Sequence, residues 1–251
     1  SNLEQLGFYE SSEKIISVPT ALVVSLGAIM MPKISNMTTK KNIKEISIYI
    51  KKSIYFGTFI TSAACFGIIS MASDFVPWYY GDGYSPCIQL FYILLPSCIF
   101  FAITDIIRTQ LLIPYKKEKI YIYSVVFGAI VNLVINLLLI PKFGALGAAI
   151  GTLSAEIAVF TLQTILIRKL LNIATSLIKS LAYILAGAIM LVVVKVVPSI
   201  SNSVLINLTL KTLIGALLYM LLTVPLLNRH SIISIETLRT KCYNIKQLKG
   251  K

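Results

Sequence analysis

The chain has 251 residues, of which 57% are apolar and only 13% are charged, and its mean hydropathy is +0.83. This profile excludes a soluble domain with a water-facing surface and is typical of an integral membrane protein. The net charge of +13 comes from short basic clusters between apolar runs, which is the distribution of cytoplasmic loops and not of a nucleic-acid-binding surface.

Seven apolar segments are long enough to span a membrane as helices, which needs about 20 mostly apolar residues each. The predicted fold is therefore an all-α integral membrane protein with seven transmembrane helices. Prolines follow five of the segments, which suits helix boundaries there. The predicted spans are Ile15–Met31, Ile54–Val76, Ile88–Ile113, Ile120–Ile140, Ala145–Ile167, Leu177–Val197 and Val204–Leu227.

The connections between these spans alternate between rich and poor in Lys and Arg. The first connection, with the amphipathic stretch "NIKEISIYIKK", carries six, whereas "PWYYGDGYSPC" carries none; "PYKKEK" carries three and "PSISNS" none. Because basic loops stay on the cytoplasmic side, the C-terminus and its basic tail are expected inside and Ser1 outside. For Lys33–Lys52 two interpretations are equally good: a basic helix lying on the inner leaflet, or a solvated connector.

The third predicted span contains "AITDIIRTQ", with Asp105 and Arg108 three residues apart on one helical face. An ionisable side chain at membrane depth costs free energy to bury, so each such residue is a candidate functional residue by default. Two interpretations stay open. The two residues form a neutralised structural pair, or Arg108 is a cation in a water-filled cavity that an anionic ligand can reach.

Polar residues also recur in the next two spans. Asn132 and Asn136 share one face of the fourth span, where they either bond adjacent helices or line a polar cavity. The fifth span has two stripes. Small residues form the first, which lets a neighbouring helix approach closely; they are Gly144, Gly147, Gly151, Ala155 and Ala158. Thr152, Glu156 and Gln163 form the second, which is expected to face a cavity or a polar neighbour. Near span ends, where a charged side chain can reach water and costs little free energy, we expect Lys195, Lys211 and Asp74.

The sequence shows no catalytic constellation. A nucleophile with an adjacent base, a phosphate-binding glycine loop and a metal motif are all lacking, and the four cysteines and His230 have no paired spacing. We therefore expect a protein that is not an enzyme, with no cofactor and no metal.

Three stretches resemble the polysaccharide (oligosaccharide) flippase family of the multidrug/oligosaccharidyl-lipid/polysaccharide exporter superfamily. They are "LGFYESSEKIISVPTALVVSLGAIMMPKIS", "DIIRTQLLIPYKKEK" and "GAIVNLVINLLLIPKFGALGAAIGTLSAE". The last is the most specific, because family members often follow an Asn-containing span with such a turn and then a span with a Glu. The resemblance covers nearly the whole chain.

The resemblance implies two pseudo-symmetric lobes around a central cavity, with this chain forming the second. Residues 1–174 would be the second-lobe core, and residues 175–251 would add two helices and a basic cytoplasmic tail. The missing first lobe of the same protein is then a partner, along with membrane lipids and a polysaccharide polymerase.

The cargo that the resemblance implies is an undecaprenyl-diphosphate-linked oligosaccharide, moved across the bacterial cytoplasmic membrane by alternating access for assembly of capsule, exopolysaccharide or O-antigen. Arg108 and Lys14 are the cations that would meet its diphosphate. The alternatives are a drug or cation exporter of the same architecture, a membrane glycan polymerase or glycosyltransferase, and a purely structural membrane protein.

Overall fold

The computed structural model describes residues 2–39, 43–198 and 201–229, and this part of the chain consists of helices and short connections, with no strand. The helices are α1 (Asn2–Thr39), α2 (Ile43–Tyr80), α3 (Pro86–Leu94), α4 (Ser97–Ile107), α5 (Glu118–Phe143), α6 (Ala145–Ile167), α7 (Ala174–Val196) and α8 (Val204–Arg229). Helices α3 and α4 and the π-helical turn Arg108–Leu112 together form one span, so seven helical segments are long and apolar enough to cross a membrane. The predicted fold class is confirmed.

The first two helices are longer than predicted, because each continues well beyond its apolar run. Residues from Ile43 onward are the first turns of α2, so neither interpretation of the 33–52 connection was right. Ile46 and Ile50 are buried, and the Lys33 ammonium lies 4.0 Å from the centre of the Tyr49 ring, so the two helices pack on each other beyond the apolar segments. Residues 40–42 lie outside the described ranges.

Several prolines do not end helices as predicted. Pro32, Pro77 and Pro141 all lie inside helices, and only Pro114 and Pro198 follow one. In a membrane helix neighbouring helices and side chains can satisfy the backbone groups that a proline frees, so helices tolerate it there.

The molecule has two ends, which we name by their residues. The Trp78 end carries the connection 81–85, the turn at Gly144, the end of α7 and the start of α8. The lysine-rich end carries the end of α1, the start of α2 and the connections 113–117 and 168–173. Helix α1 begins at the Trp78 end, where the Tyr80 hydroxyl donates to the Ser11 carbonyl at 2.7 Å. The Gln5 side-chain oxygen there accepts from the Ala145 backbone N–H at 3.1 Å, which satisfies one free donor at the start of α6.

The third span lies at the centre of the bundle and is the most buried of the seven. Its α3–α4 part packs against α1, α2 and α6, while α5 packs chiefly on α6. Helices α7 and α8 pack on α2 and on each other. Phe59 of α2 stacks on Tyr219 of α8 with ring centres 5.3 Å apart, and meets Tyr183 of α7 edge-on at 6.1 Å. The core therefore divides into a part around span three and a part between α2 and the last two helices.

Helices α5 and α6 form a tight antiparallel pair through glycines, as the small-residue stripe predicted. Gly144 adopts φ +56° at the turn, a conformation that side-chain-bearing residues rarely adopt. A Cβ on Gly147 would lie 2.6 Å from the Leu139 carbonyl oxygen, and one on Gly151 would lie 2.1 Å from the Asn136 side-chain oxygen. The two helices can approach this closely only where one of them has no side chain.

Replacing Gly147 by Ala should therefore destabilise the protein. The added methyl meets backbone atoms, which cannot rotate away, and overpacking of this kind costs about 1–3 kcal/mol. Gly7→Ala is the matched control, because a Cβ there meets nothing within 4 Å. The measurement is the thermal midpoint of the purified protein in detergent. Equal midpoints for the two variants would contradict the close approach of α5 and α6.

Candidate functional site

A polar cavity of about 500 Å³ opens between the third span, α5 and α6. Six of the eight residues proposed from the sequence as a site line it: Asp105, Arg108, Asn132, Thr152, Glu156 and Gln163. These residues come from three spans that follow one another in the chain, and the sequence did not show that their polar faces would meet. The structure brings the six residues together, and their role in binding stays a prediction.

Asp105 and Arg108 form the ion pair that their spacing predicted. Both Nε and Nη2 of Arg108 donate to the same oxygen, Oδ1, with the Nε–Oδ1 distance at 3.2 Å. Oδ2 is buried and has no hydrogen-bond partner among the described residues. The side chain of Asp105 is almost fully buried, whereas 31% of the Arg108 side chain is exposed. The guanidinium is therefore the accessible member of the pair.

The backbone at this point is a π-helical turn, in which the Ile113 N–H donates to the Arg108 carbonyl at 3.0 Å. Such turns insert one extra residue into a helix and are frequent at functional sites. The Arg108 guanidinium carbon also lies 5.5 Å from the centre of the Tyr121 ring, within the range of a cation–π contact. Tyr121 thus lies beside the cation on the cavity wall formed by α5.

On α5 the two asparagines bond each other. The Asn136 amide donates to the Asn132 side-chain oxygen at 2.8 Å, and Asn132 lines the cavity while Asn136 faces Gly151 of α6. Of the two interpretations left open for this face, cavity lining thus applies to Asn132, and contact with the adjacent helix applies to Asn136.

A second cavity, of about 240 Å³, lies beside the first toward the Trp78 end. It is lined from α1 by polar residues that include Tyr9 and Glu13, and the Tyr9 hydroxyl is hydrogen-bonded to the Thr152 hydroxyl at 2.8 Å. Phe101, Thr152 and Glu156 line both cavities, so the two meet at these side chains.

Gln163 lines the first cavity nearer the lysine-rich end. Its side chain is fully buried, and neither of its amide atoms has a hydrogen-bond partner among the described residues. Unpaired buried amides are costly, so a group of this kind facing a cavity suits contact with water or a polar ligand.

Lys14, the eighth residue proposed from the sequence, is exposed on α1 and is not among the residues that line either cavity. In its place α1 contributes Tyr9 and Glu13. Sequence reasoning missed these two as site residues, along with Phe101 and Tyr121. Tyr121 follows the basic loop "PYKKEK" in the sequence, a position that is typical of aromatic residues at a membrane boundary and gives no sign of a site. Its contact with Arg108 depends on how α5 packs.

Lys211 and Asp74, expected near span ends, lie six to seven residues from the ends of their helices, and the sequence did not show that they would pair. The Lys211 ammonium contacts Asp74 Oδ2 at 2.5 Å, which joins α8 to α2. The pair lies close to an apolar groove of about 500 Å³ between α1, α2 and α8, lined by residues that include Ile15, Phe75 and Leu213. Among the described residues there is no group of three or more His, Cys, Asp or Glu side chains that could bind a metal ion.

Comparison with known proteins gives a consistent set of relatives. The family model described as lipid II flippase MurJ matches residues 6–213. A putative O-antigen transporter of Shigella dysenteriae is 27% identical over 154 residues, which are 60% of this chain and 37% of the relative. The lipid II flippase MurJ of Bacillus subtilis is 24% identical over 190 residues, 74% of this chain and 35% of the relative.

A probable low-salt glycan biosynthesis flippase, Agl15 of Haloferax volcanii, is 22% identical over 147 residues, 59% of this chain and 31% of the relative. A solved structure titled lipid II flippase MurJ, inward closed conformation, superposes with a TM-score of 0.76 at 18% identity, over 91% of this chain and 48% of that one. The chain thus spans about a third of the length of these curated relatives and about half of the solved structure. The structural likeness concerns the fold.

Breaking the Asp105–Arg108 pair should lower the free energy of unfolding. Asp105→Leu leaves the guanidinium without its carboxylate at membrane depth. Removing one partner of a fully buried pair costs roughly 3–5 kcal/mol, and we expect a smaller loss of about 2 kcal/mol here because Arg108 is partly exposed. The double variant Asp105→Leu/Arg108→Leu should regain most of that loss. A double variant as unstable as Asp105→Leu in thermal unfolding would contradict the pairing.

Proposed function

Because the chain belongs to the lipid II flippase MurJ family, we propose that it is part of a flippase that moves undecaprenyl-diphosphate-linked oligosaccharide repeat units across the bacterial cytoplasmic membrane for surface polysaccharide assembly. The observation that carries the proposal is the polar cavity at membrane depth, with an accessible Arg108 at one end and uncharged polar groups along its walls. We propose that the protein is a transporter and not an enzyme.

The chemistry of such a cargo has three parts, and each finds a complementary surface in the described residues. A diphosphate is an anion, and the guanidinium of Arg108 can donate to phosphate oxygens in a fork. A saccharide offers many hydroxyl groups, for which Asn132, Thr152 and Gln163 supply amide and hydroxyl partners. A polyprenyl chain is apolar, and the groove between α1, α2 and α8 is lined almost wholly by apolar side chains.

The same features disfavour the exporter alternative for cationic drugs. Arg108, at the lysine-rich end of the cavity, repels a positively charged ligand. Of the two carboxyl groups that line this cavity among the described residues, Asp105 is already engaged by Arg108, and Glu156 can be neutralised by protonation. Anionic cargo is the better match to this electrostatic arrangement.

We further propose that residues 1–174 form one lobe of the transporter and that α7 and α8, with the tail, are an addition to it. Support comes from packing, since α7 and α8 contact α2 and each other on the side away from the α5–α6 cavity. The tail from residue 230 lies outside the described residues. The opposite wall of the transport path would come from further helices of the same protein, consistent with relatives about 1.7 to 2.2 times as long as this chain.

The proposed direction, from the lysine-rich end to the Trp78 end, follows from the sequence bias that puts the basic loops inside the cell. Arg108 lies near the lysine-rich end of its span, close to the leaflet in which the cargo lipid would be made. A polysaccharide polymerase would then act on the product outside.

The proposed function predicts that Arg108→Ala lowers flipping about tenfold or more, since a charge-assisted hydrogen bond contributes about 1.5–3 kcal/mol. Arg108→Lys should retain part of the activity, because it keeps the charge and loses the fork. The measurement is the pool of polyprenyl-linked repeat units on the cytoplasmic leaflet of a host deleted for the gene and complemented with each variant.

Lys142→Ala is the matched control, since Lys142 is an exposed cation of α5 outside the cavity. Normal lipid-linked pools and normal surface polysaccharide in the deleted host would overturn the flippase proposal. Full flipping by Arg108→Ala at normal protein level would show that Arg108 does not bind the diphosphate, and it would leave the flippase proposal itself unchanged.

A further inference from the structure

Gln163 differs from the other uncharged polar side chains of the first cavity, because all of its hydrogen-bonding atoms are unsatisfied. Its side chain lines the cavity and is fully buried on α6, and neither Oε1 nor Nε2 has a partner among the described residues. The other amide and aliphatic hydroxyl groups that line this cavity each have a protein partner. They belong to Thr104, which donates to the Phe101 carbonyl, to Asn132, which accepts from Asn136, and to Thr152, which is bonded to Tyr9. Because an unpaired buried amide is costly, Gln163 is the side chain of this wall that most needs a partner from a ligand.

Gln163 lies at nearly the same membrane depth as Arg108. Gly128 of α5 packs against Val159 of α6, since a Cβ there would lie 2.4 Å from that side chain. From this contact Tyr121 is seven residues toward the lysine-rich end, and Gln163 is four residues in the same direction. At 1.5 Å per residue these distances are about 10 Å and about 6 Å, so the two positions differ by less than one helical turn. Tyr121 in turn contacts Arg108, so the amide and the guanidinium lie at neighbouring levels of the cavity.

The two amide atoms of Gln163 require both kinds of hydrogen-bonding group in a ligand, because Nε2 donates and Oε1 accepts. A phosphate oxygen only accepts, so the diphosphate that Arg108 would bind can satisfy Nε2 and leaves Oε1 unpaired. In a sugar phosphate, the anomeric carbon is flanked by the ring oxygen, which only accepts, and by C2, whose hydroxyl or acetamido group donates. The substituent at C2 is therefore the donor closest to the diphosphate.

We propose that Gln163 is a specificity-determining residue for the sugar attached directly to the diphosphate. Its Oε1 accepts a hydrogen bond from the O–H or N–H group at C2 of that sugar, and its Nε2 donates to the neighbouring phosphate oxygen. The cavity thereby selects a polyprenyl diphosphate whose first sugar carries a donor at C2 over one whose first sugar lacks it. This inference rests on the proposed function, since it names the part of the cargo that the cavity recognises.

The burial of the amide is the reason that it discriminates. A site built to hydrogen-bond a substrate group rejects an analogue without that group, because the buried polar atom of the protein is then left unpaired. Water in the open part of the cavity competes little for an amide that is fully covered. A 2-deoxy sugar beside Gln163 would leave Oε1 without a donor, while its remaining hydroxyl groups could still meet Asn132 and Thr152.

The experiment measures the affinity of the full-length protein in lipid nanodiscs for a series of probes. The probes are undecaprenyl diphosphate and its derivatives with N-acetylglucosamine, glucose or 2-deoxyglucose, and native mass spectrometry gives the bound fraction of each. For the wild type we expect the N-acetylglucosamine and glucose derivatives to bind about tenfold more tightly than the 2-deoxyglucose derivative, the size of effect that one buried hydrogen bond gives.

Gln163→Met keeps the length of the side chain and removes both hydrogen-bonding atoms. The tenfold preference should then fall below about twofold, because no atom remains to accept from C2. Arg108→Ala should instead weaken the binding of every probe and keep the preference. Thr164→Val is the matched control, since the Thr164 hydroxyl is also buried without a partner among the described residues and the residue lines neither cavity. Because the readout is a ratio of affinities within one preparation, a partial loss of folded protein does not change it.

The absence of a preference in the wild type, or a preference that survives in Gln163→Met, would overturn the inference. If either occurs while the deleted host accumulates lipid-linked repeat units, the flippase proposal stands and only the role of Gln163 fails. If the wild type and Gln163→Met behave as expected and lipid-linked pools are normal in the deleted host, the sugar site stands and the proposed role in surface polysaccharide assembly is wrong. Failure of the wild type to bind any probe would overturn both.

Discussion

The backbone contact between α5 and α6 is the constraint on which the rest of the site depends. Gly147 lets the backbone of α5 at Leu139 approach α6 directly, and Gly151 leaves room for the side chain of Asn136. Because side chains on a helix are separated by fixed angles, this contact also fixes the direction of the neighbouring stripe. Thr152 and Glu156 therefore point toward the third span and cannot point toward lipid. The packing of the small-residue stripe of α6 on α5 therefore determines the direction in which the polar stripe of α6 faces.

The third span completes the site through two departures from a regular helix. Pro96 separates α3 from α4, and the π-helical turn begins at Arg108. Arg108 pairs with Asp105 across one helical turn, and its guanidinium also reaches the cavity and the ring of Tyr121. The extra residue in the π-helical turn changes the helical register of the residues that follow Arg108. An ordinary α-helix would satisfy the pair as well, but it would direct the following residues differently.

Much of this arrangement could be predicted from the sequence, and the physical reasons separate what could from what could not. Hydropathy predicted seven spans. Helix α6 has the predicted ends, because α5 ends before Gly144 and the apolar run of α6 ends at Ile167, before Arg168 and Lys169. Helical spacing predicted the Asp105–Arg108 pair and the two faces of α6, since both depend only on residues within one helix. Prediction from the sequence failed where contacts between helices determine the structure. Helix α2 is longer than predicted because Ile46 and Ile50 are buried at its start, and the pairing of Lys211 with Asp74 joins two helices that are far apart in the chain. Tyr9 and Glu13 belong to this second class, because nothing local shows which helix they face.

The polar cavity and the apolar groove lie on different sides of α1, and this separation bears on how an amphipathic lipid could be handled. Ile15 lines the groove, while its neighbours in sequence Glu13 and Ile16 line the second cavity. A cargo with a polar head and a long tail would thus have α1 between its two parts, and any movement of α1 would change both surfaces at once. The half of α1 at the Trp78 end is bonded to the rest of the bundle through Gln5, Tyr9 and Ser11. Pro19 follows these bonds and removes one backbone hydrogen bond from the helix. Glu13, Ile15 and Val18 all precede Pro19, so the part of α1 that lines both surfaces is the part that these three contacts hold. The polar and apolar surfaces are therefore fixed relative to each other by one bonded stretch of helix.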